Sequence, residues 1–164
     1  MSPDPRSRRK PKRLRDQDAA RVRPSPDDAH EIVYFQRHTD DDPGRGVPGQ
    51  DFLRGCPTNV RAKITAVLIA VAAAPPKRFA GGGYWEAMHG DMTGWFEVRV
   101  DGPQRSHYRL FCLLDYEAQG RDKPLLVVID GRRKAFRTML SAADYAQVSA
   151  LGKEYLARNP RSVI

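Results

Sequence analysis

Three strand-like runs crowd residues 94–138, and the connections between them are short enough only for hairpins. The first, residues 95–101 (WFEVRVD), alternates. Phe96, Val98 and Val100 share one face, and Trp95, Glu97, Arg99 and Asp101 share the other. Residues 101–105 (DGPQR) have the chemistry of a turn. The second run, 107–115 (HYRLFCLLD), sets Tyr108, Leu110, Cys112 and Leu114 against His107, Arg109, Phe111 and Leu113. A polar loop over 116–124 leads to the third run, 125–130 (LLVVID), which is apolar to its last residue, as in a central strand. Parallel neighbours would need a crossover of a dozen or more residues, so the three runs form an antiparallel meander.

The remaining segments supply one more strand and two helices. Residues 32–35 (IVYF) read as a short strand, 39–49 as a loop, and 51–54 as a brief helical turn. Val60, Ile64, Val67, Leu68 and Val71 recur at helical spacing, which predicts a helix over 57–74 with Thr58 as its N-cap and Pro75 and Pro76 as its stop. Residues 77–94 form a glycine-rich connector containing Gly81, Gly82 and Gly83. A phosphate loop needs a strand before it and a helix after it, whereas here a helix precedes and strands follow. The connector is therefore a flexible turn, with Trp85, Met88 and Met92 folding back on the core. Ser141 and Asp144 match a capping box in its Asp form. The helix behind it carries Tyr145, Val148, Leu151, Tyr155 and Leu156 as its apolar stripe and stops at Asn159–Pro160. The order strand, helix, three strands, helix predicts a small α+β domain over 29–164.

Charge is unevenly spread. Of the net charge of +8, residues 1–24 hold nine Lys/Arg against three Asp, and the rest of the chain holds 19 basic against 17 acidic groups. Residues 1–28 thus read as a disordered basic arm, suited to salt-sensitive attraction to nucleic acid or to solubility alone. Any nucleic-acid surface on the near-neutral body must come from local clustering. The longest apolar run, residues 66–74, is half the roughly 18 residues of a membrane span, and the basic start has no apolar segment after it. Cys56 and Cys112 belong to no metal-ligand pattern and read as small apolar side chains in a reducing cytoplasm, although a disulfide between them stays open. No zinc-ligand spacing, P-loop or nucleophile elbow occurs, and two helices separated by a sheet do not make a helix-turn-helix reader.

The chemistry lies in cations placed where strands place them. Arg99 sits in the first run and Arg109 in the second; Arg132, Arg133, Lys134 and Arg137 follow the third as a basic turn. An arginine in a strand is desolvated at a cost unless an anion meets it. Several converging on one sheet suggest a concave phosphate surface, which makes RNA the first partner to consider. Each residue also has a plainer reading. Glu97 and Arg99 pair across a sheet face, Arg109 forms a buried ion pair with Asp130 or Glu97, and Lys134 and its neighbours are a solvated turn. His107 is then an incidental strand-end histidine and Tyr108 a core residue.

The string WEAMHGDMTGWFEVRV (85–100), then HYRLF (107–111), an apolar strand, the basic segment KAFRT (134–138) and a final helix resemble the RelE/HigB superfamily of toxins, in its phage-derived RelE-like branch. Phe96-Glu97-Val98-Arg99 matches the family's aromatic-Glu-x-Arg strand, Tyr108-Arg109 its Tyr-Arg strand, and Arg132-Arg133-Lys134 its basic turn. The resemblance covers roughly residues 50–158. It implies a microbial RNase fold, a curved antiparallel sheet with helices packed on one face. It also implies a metal-independent endoribonuclease with no cofactor, which cuts mRNA on the ribosome in the cytoplasm and is held by a cognate antitoxin protein. In the chemistry implied, Arg109 stabilises the phosphorane, Arg99 binds the adjacent phosphate, and Lys134 and Arg137 close the site. Glu97 or His107 accepts the 2′-hydroxyl proton. Some branches place a catalytic tyrosine just after the last basic strand, where this chain has Phe136 and Thr138. The alternative expectation is a catalytically silent fold of the same kind that binds RNA or a protein.

Overall fold

The computed structural model describes residues 23–74 and 83–164. Most of the basic arm, Pro75, Pro76, Gly81 and Gly82 therefore lie outside the described residues. The described chain is α+β and is built on one five-stranded sheet. In chain order the elements are β1 (Glu31–Tyr34), α1 (Pro48–Gly55), α2 (Thr58–Ala73), β2 (Trp85–Ala87), β3 (Phe96–Asp101), β4 (Ser106–Asp115), β5 (Leu125–Ala135) and α3 (Ala142–Leu156). The strand order is β1-β5-β4-β3-β2. The meander β3-β4-β5 is antiparallel, as its short connections require.

Two expectations about the sheet need correction. It is mixed, because β1 runs parallel to β5 with Glu31 opposite Leu125 and Tyr34 opposite Val128. Its helices also lie on both faces. Val60, Ile64, Leu68, Val71 and Ala72 of α2 pack with Val98, Val100, Leu110, Cys112, Leu126 and Val128. Val148 and Tyr155 of α3 pack with Phe111, Leu113, Leu125, Val127 and Ile129. The physical reason lies in β5, where all five residues from Leu125 to Ile129 are fully buried. Each such side chain contributes roughly 1.5–3 kcal/mol when covered, so leaving one face bare would forfeit several kcal/mol. Helices on a single face cannot satisfy a strand that is apolar on both.

Local chemistry sets the helix ends. Pro48 occupies the first turn of α1, which is a full eight-residue helix and more than a brief turn. The N-cap of α2 is Pro57, with no side-chain cap, so Thr58 is the first helical residue and caps nothing. The capping box of α3 is present: Ser141 Oγ accepts from the Asp144 N–H at 3.1 Å, and the Ser141 N–H donates to Asp144 Oδ2 at 3.0 Å. Trp85 and Met92 are buried, as the turn-back of the connector requires, but the segment also supplies strand β2. Leu156, placed in the α3 stripe from its spacing, is exposed. Both cysteines are free and buried in the α2-side core. No helix among the described residues is long and apolar enough to cross a membrane.

Gly152 shows how tightly α3 seats. A Cβ there would lie 2.2 Å from Trp95 Cζ2 and 2.6 Å from Cη2. Gly152→Val gains about 0.3 kcal/mol of helix propensity but overpacks a buried indole at a cost of about 1–3 kcal/mol. The clash wins. Urea denaturation should show a net loss; an unchanged midpoint would mean that Trp95 is free to swing away.

Candidate phosphate site

The basic segment after Asp130 is a continuation of β5, which correct the expectation of a turn. RRKA has no apolar pattern of its own, but β4 is long enough to pair with it: His107 faces Lys134, Tyr108 faces Arg133 and Arg109 faces Arg132. Between Phe111 and Cys112 the register slips. Phe111 pairs with Asp130 and Cys112 with Val128, so Ile129 is bulged out of the ladder. Beyond the bulge the alternation is out of phase. Ile129 points to the α3 side with Leu125 and Val127, Asp130 follows it there opposite Phe111, and Arg132, not Arg133, comes next on that side. Arg132 confirms its face by reaching Gln147 and Asp144 of α3, while Arg133 donates to Ser106 Oγ of β4 on the opposite side.

Three cross-strand rows result on the α3 side of the sheet. Glu97, Phe111 and Asp130 form the first; Arg99, Arg109 and Arg132 the second; Asp101, His107 and Lys134 the third. The second row sets three guanidinium-bearing residues directly opposite one another across about 10 Å of sheet. Like charges so placed are destabilising. Arg132 is neutralised by Asp130, with Nη1 to Oδ2 at 2.5 Å, and by Asp144 at 3.4 Å. Arg99 is loosely paired with Glu97, Nε to Oε1 at 3.5 Å, and stays partly exposed. Arg109 is only 6% exposed and donates one hydrogen bond, to the Tyr108 carbonyl oxygen at 3.2 Å. Among the described residues no carboxylate lies within ion-pair distance of it. The ion pair with Asp130 or Glu97 expected as the plainer reading of Arg109 is thus not made, because Asp130 is taken by Arg132 and Glu97 by Arg99. Burial pushes the Arg109 guanidinium below its usual range, and Arg99 adds to the push against a weaker pull from Glu97 and Asp101.

Glu97 and Arg99 form one wall of a cleft of about 750 Å³, closed opposite by Tyr145, Ser149 and Lys153 of α3 and at the edge by Glu86 and His89. Of these residues sequence reasoning placed only Glu97 and Arg99 in a site, and Glu86 and Tyr145 show why the others escaped it. Glu86 lies directly opposite Glu97 across β2 and β3, a pairing hidden because β2 carried no strand signal. Tyr145 read as core from its helical spacing. In the structure its ring stands edge-on to Phe111, with centroids 6.2 Å apart, and its phenol lines the cleft. Burial and the Glu97 charge raise its phenol above the ordinary value, opposed by Arg109 and Arg99. It keeps its proton at neutral pH. The signal that was available is its place in the first turn after the capping box, where a helix starts beneath the sheet's polar rows.

The other expected site residues stand one row further on. His107 Nδ1 is held by Asp101 Oδ1 in a very short contact, and Lys134 lies opposite on β5 with no carboxylate within ion-pair distance among the described residues. Arg137 lies past the strand, in a turn, with its guanidinium 5.3 Å from the centre of the Phe136 ring. It does not reach the cleft; it lines a second pocket of about 430 Å³ with Asp101, Arg105, Ser106, His107 and Phe136. Glu97, Arg99, Arg109, His107 and Lys134 therefore share one face, and Arg137 borders it. Among the described residues no group of three or more His, Cys, Asp or Glu is arranged to hold a metal ion. No family model, curated protein or solved structure matches the chain.

Proposed function

We propose that this chain is a metal-independent endoribonuclease of the RelE/HigB toxin kind, acting on mRNA at the ribosome in the cytoplasm and restrained by an antitoxin protein. The observation that carries the reading is Arg109, buried in the middle of an arginine row with no carboxylate among the described residues to neutralise it. A phosphate seated against Arg99 supplies the missing anion. Arg99 holds phosphoryl oxygens from the cleft wall and Arg109 from one strand further in, with Lys134 and Arg137 adding positive charge beyond them. The RNA's 2′-hydroxyl attacks the neighbouring phosphorus and passes its proton to Glu97. This carboxylate is favoured over His107 because it lines the cleft beside Arg99, whereas His107 stands a row away, engaged by Asp101. Tyr145, protonated at neutral pH, gives its proton to the departing 5′-oxygen. The products are a 2′,3′-cyclic phosphate and a 5′-hydroxyl end.

A second reading has its own support. Both proton acceptors already have partners, Glu97 in Arg99 and His107 in Asp101, as a silent RNA- or protein-binding relative of such enzymes would show. Inducible expression in a bacterium separates the two, with wild type beside Arg109→Ala/Lys134→Ala and with mRNA 5′ ends mapped. Growth arrest and new ends in the wild type alone are expected of the enzyme. Normal growth with soluble, folded protein and RNA retained without cleavage is expected of the binding relative.

A further inference from the structure

Beside Arg137, the second pocket holds features the cleavage chemistry leaves unused. Phe136 is 43% exposed directly after β5 and belongs to neither core. Two guanidiniums lie on it, those of Arg105 and Arg137, each with its central carbon 5.3 Å from the ring centre. The His107 imidazole is tilted against the same ring at 5.7 Å. The turns that deliver the two arginines are strained: Gln104, Arg105 and Arg137 have φ of 58°, 56° and 61°, a left-handed backbone that residues with a Cβ rarely adopt. Two strained turns from different parts of the chain thus converge on one exposed aromatic ring. Such strain gathers where the surrounding structure holds residues for a ligand.

We infer that this pocket is a nucleobase subsite for single-stranded RNA, with Phe136 as the platform on which a base stacks. The inference rests on the proposed reading of the arginine row as a phosphate site. An exposed aromatic ring flanked by arginines is the arrangement that holds unpaired bases without a fixed sequence, since every base offers a π-face. Stacking of a base outweighs a single exposed cation–π contact, so an incoming base replaces a guanidinium on the ring. The displaced arginine is then free for the RNA backbone. Asp101 engages His107 Nδ1, which leaves Nε2 to hydrogen-bond the polar edge of a base. The placement fits a continuous strand. The row of Asp101, His107 and Lys134 lies two residues, about 7 Å, along the strands from the arginine row. A base on Phe136 therefore belongs to a nucleotide next to the one whose phosphate meets Arg99.

The test is fluorescence anisotropy on the full chain with a labelled, fully 2′-O-methylated hexanucleotide, which cannot be cleaved because its nucleophile is blocked. The same hexanucleotide lacking its bases serves as the second probe. The wild type should bind the base-bearing strand about tenfold more tightly than the abasic one. Phe136→Ala should abolish that preference, Phe136→Trp should restore it, and Arg99→Ala should weaken both strands. If Phe136→Ala, shown folded by its melting curve, keeps the tenfold preference, the subsite is overturned and the phosphate reading stands. If the wild type binds neither strand, or Arg99→Ala weakens neither, the phosphate reading fails and takes the subsite with it.

Discussion

Arg109→Met should lower RNA cleavage by about 10²–10³-fold, the loss typical of removing one charge-stabilising donor. The same substitution should make the protein more stable. Arg109 is buried among Arg99 and Arg132, and among the described residues its one hydrogen bond is to a neighbouring carbonyl and no carboxylate pairs with it. Methionine keeps much of the length, sheds the desolvated charge and relieves the repulsion along the row. By analogy with buried charges replaced by apolar residues, the gain is about 1–3 kcal/mol. For a chain of this size, each kcal/mol raises the melting temperature by about 2–4 °C. Arg109→Lys should keep most of the stability cost without restoring full activity, because an ammonium cannot hold two phosphoryl oxygens in a plane. A variant Arg109→Met that is both less stable and fully active would sink the proposal.

The opposite balance is expected at Asp115. This buried carboxylate accepts hydrogen bonds from Tyr155 Oη at 2.5 Å, Arg161 Nε at 2.8 Å and the Glu117 N–H at 2.9 Å. Arg161 also donates to the carbonyls of Leu156 and Arg158, so one ion pair ties the end of β4 to the segment that follows α3. That segment then adds Val163 and Ile164 to the free edge of β1. Asp115→Ala leaves the Arg161 guanidinium buried without its counterion, at a cost of about 3–5 kcal/mol. Against a typical total of about 5–15 kcal/mol, that is a large share. Urea titration should show it, and Asp115→Ala/Arg161→Leu should recover part of the loss. A loss below about 1 kcal/mol for the single variant would mean that water reaches the pair. Burial alone would raise the Asp115 carboxyl, but the bonds from Arg161, Tyr155 and Glu117 outweigh it and hold the group below its ordinary value of 3.8. Its contribution is therefore complete above that value and is lost as pH falls through the lower folded value. Acid titration of the wild type should show a loss below about pH 4 that Asp115→Ala lacks.

How far the sequence revealed this molecule can be judged strand by strand. The faces of β3 and β4 were legible because strict alternation admits one reading, and Phe96, Val98 and Val100 do separate from Glu97 and Arg99. The capping box was legible because Ser141 and Asp144 make local bonds that no distant contact overrides. Pairing decisions were not. β1 has only four residues, too few to declare a parallel partner, and β2 has three. The basic end of β5 reads as a turn because its strand character comes from β4, not from its own side chains. The second sheet face was likewise hidden, since an apolar run such as 125–129 shows that a strand is buried without naming what covers it. For the site, the sequence brought Glu97, Arg99 and Arg109 to one face but missed Tyr145, whose helical spacing suits a core residue as well as a cleft residue.

The bulge at Ile129 makes backbone register, rather than side-chain identity, the determinant of which surface is basic. Were Ile129 paired into the ladder and the strand to alternate without a break, every later side chain of β5 would change sides. Arg133 would face α3, while Arg132 and Lys134 would turn toward α1 and α2. The arginine row would be dismantled without the replacement of a single arginine. Loss of the extra residue has the opposite outcome: Val128 opposite Cys112 and Asp130 opposite Phe111 become successive rungs, and Arg132 stays beside Arg109 on the α3 face. The basic surface thus tolerates a shorter strand but not a straightened one of the same length.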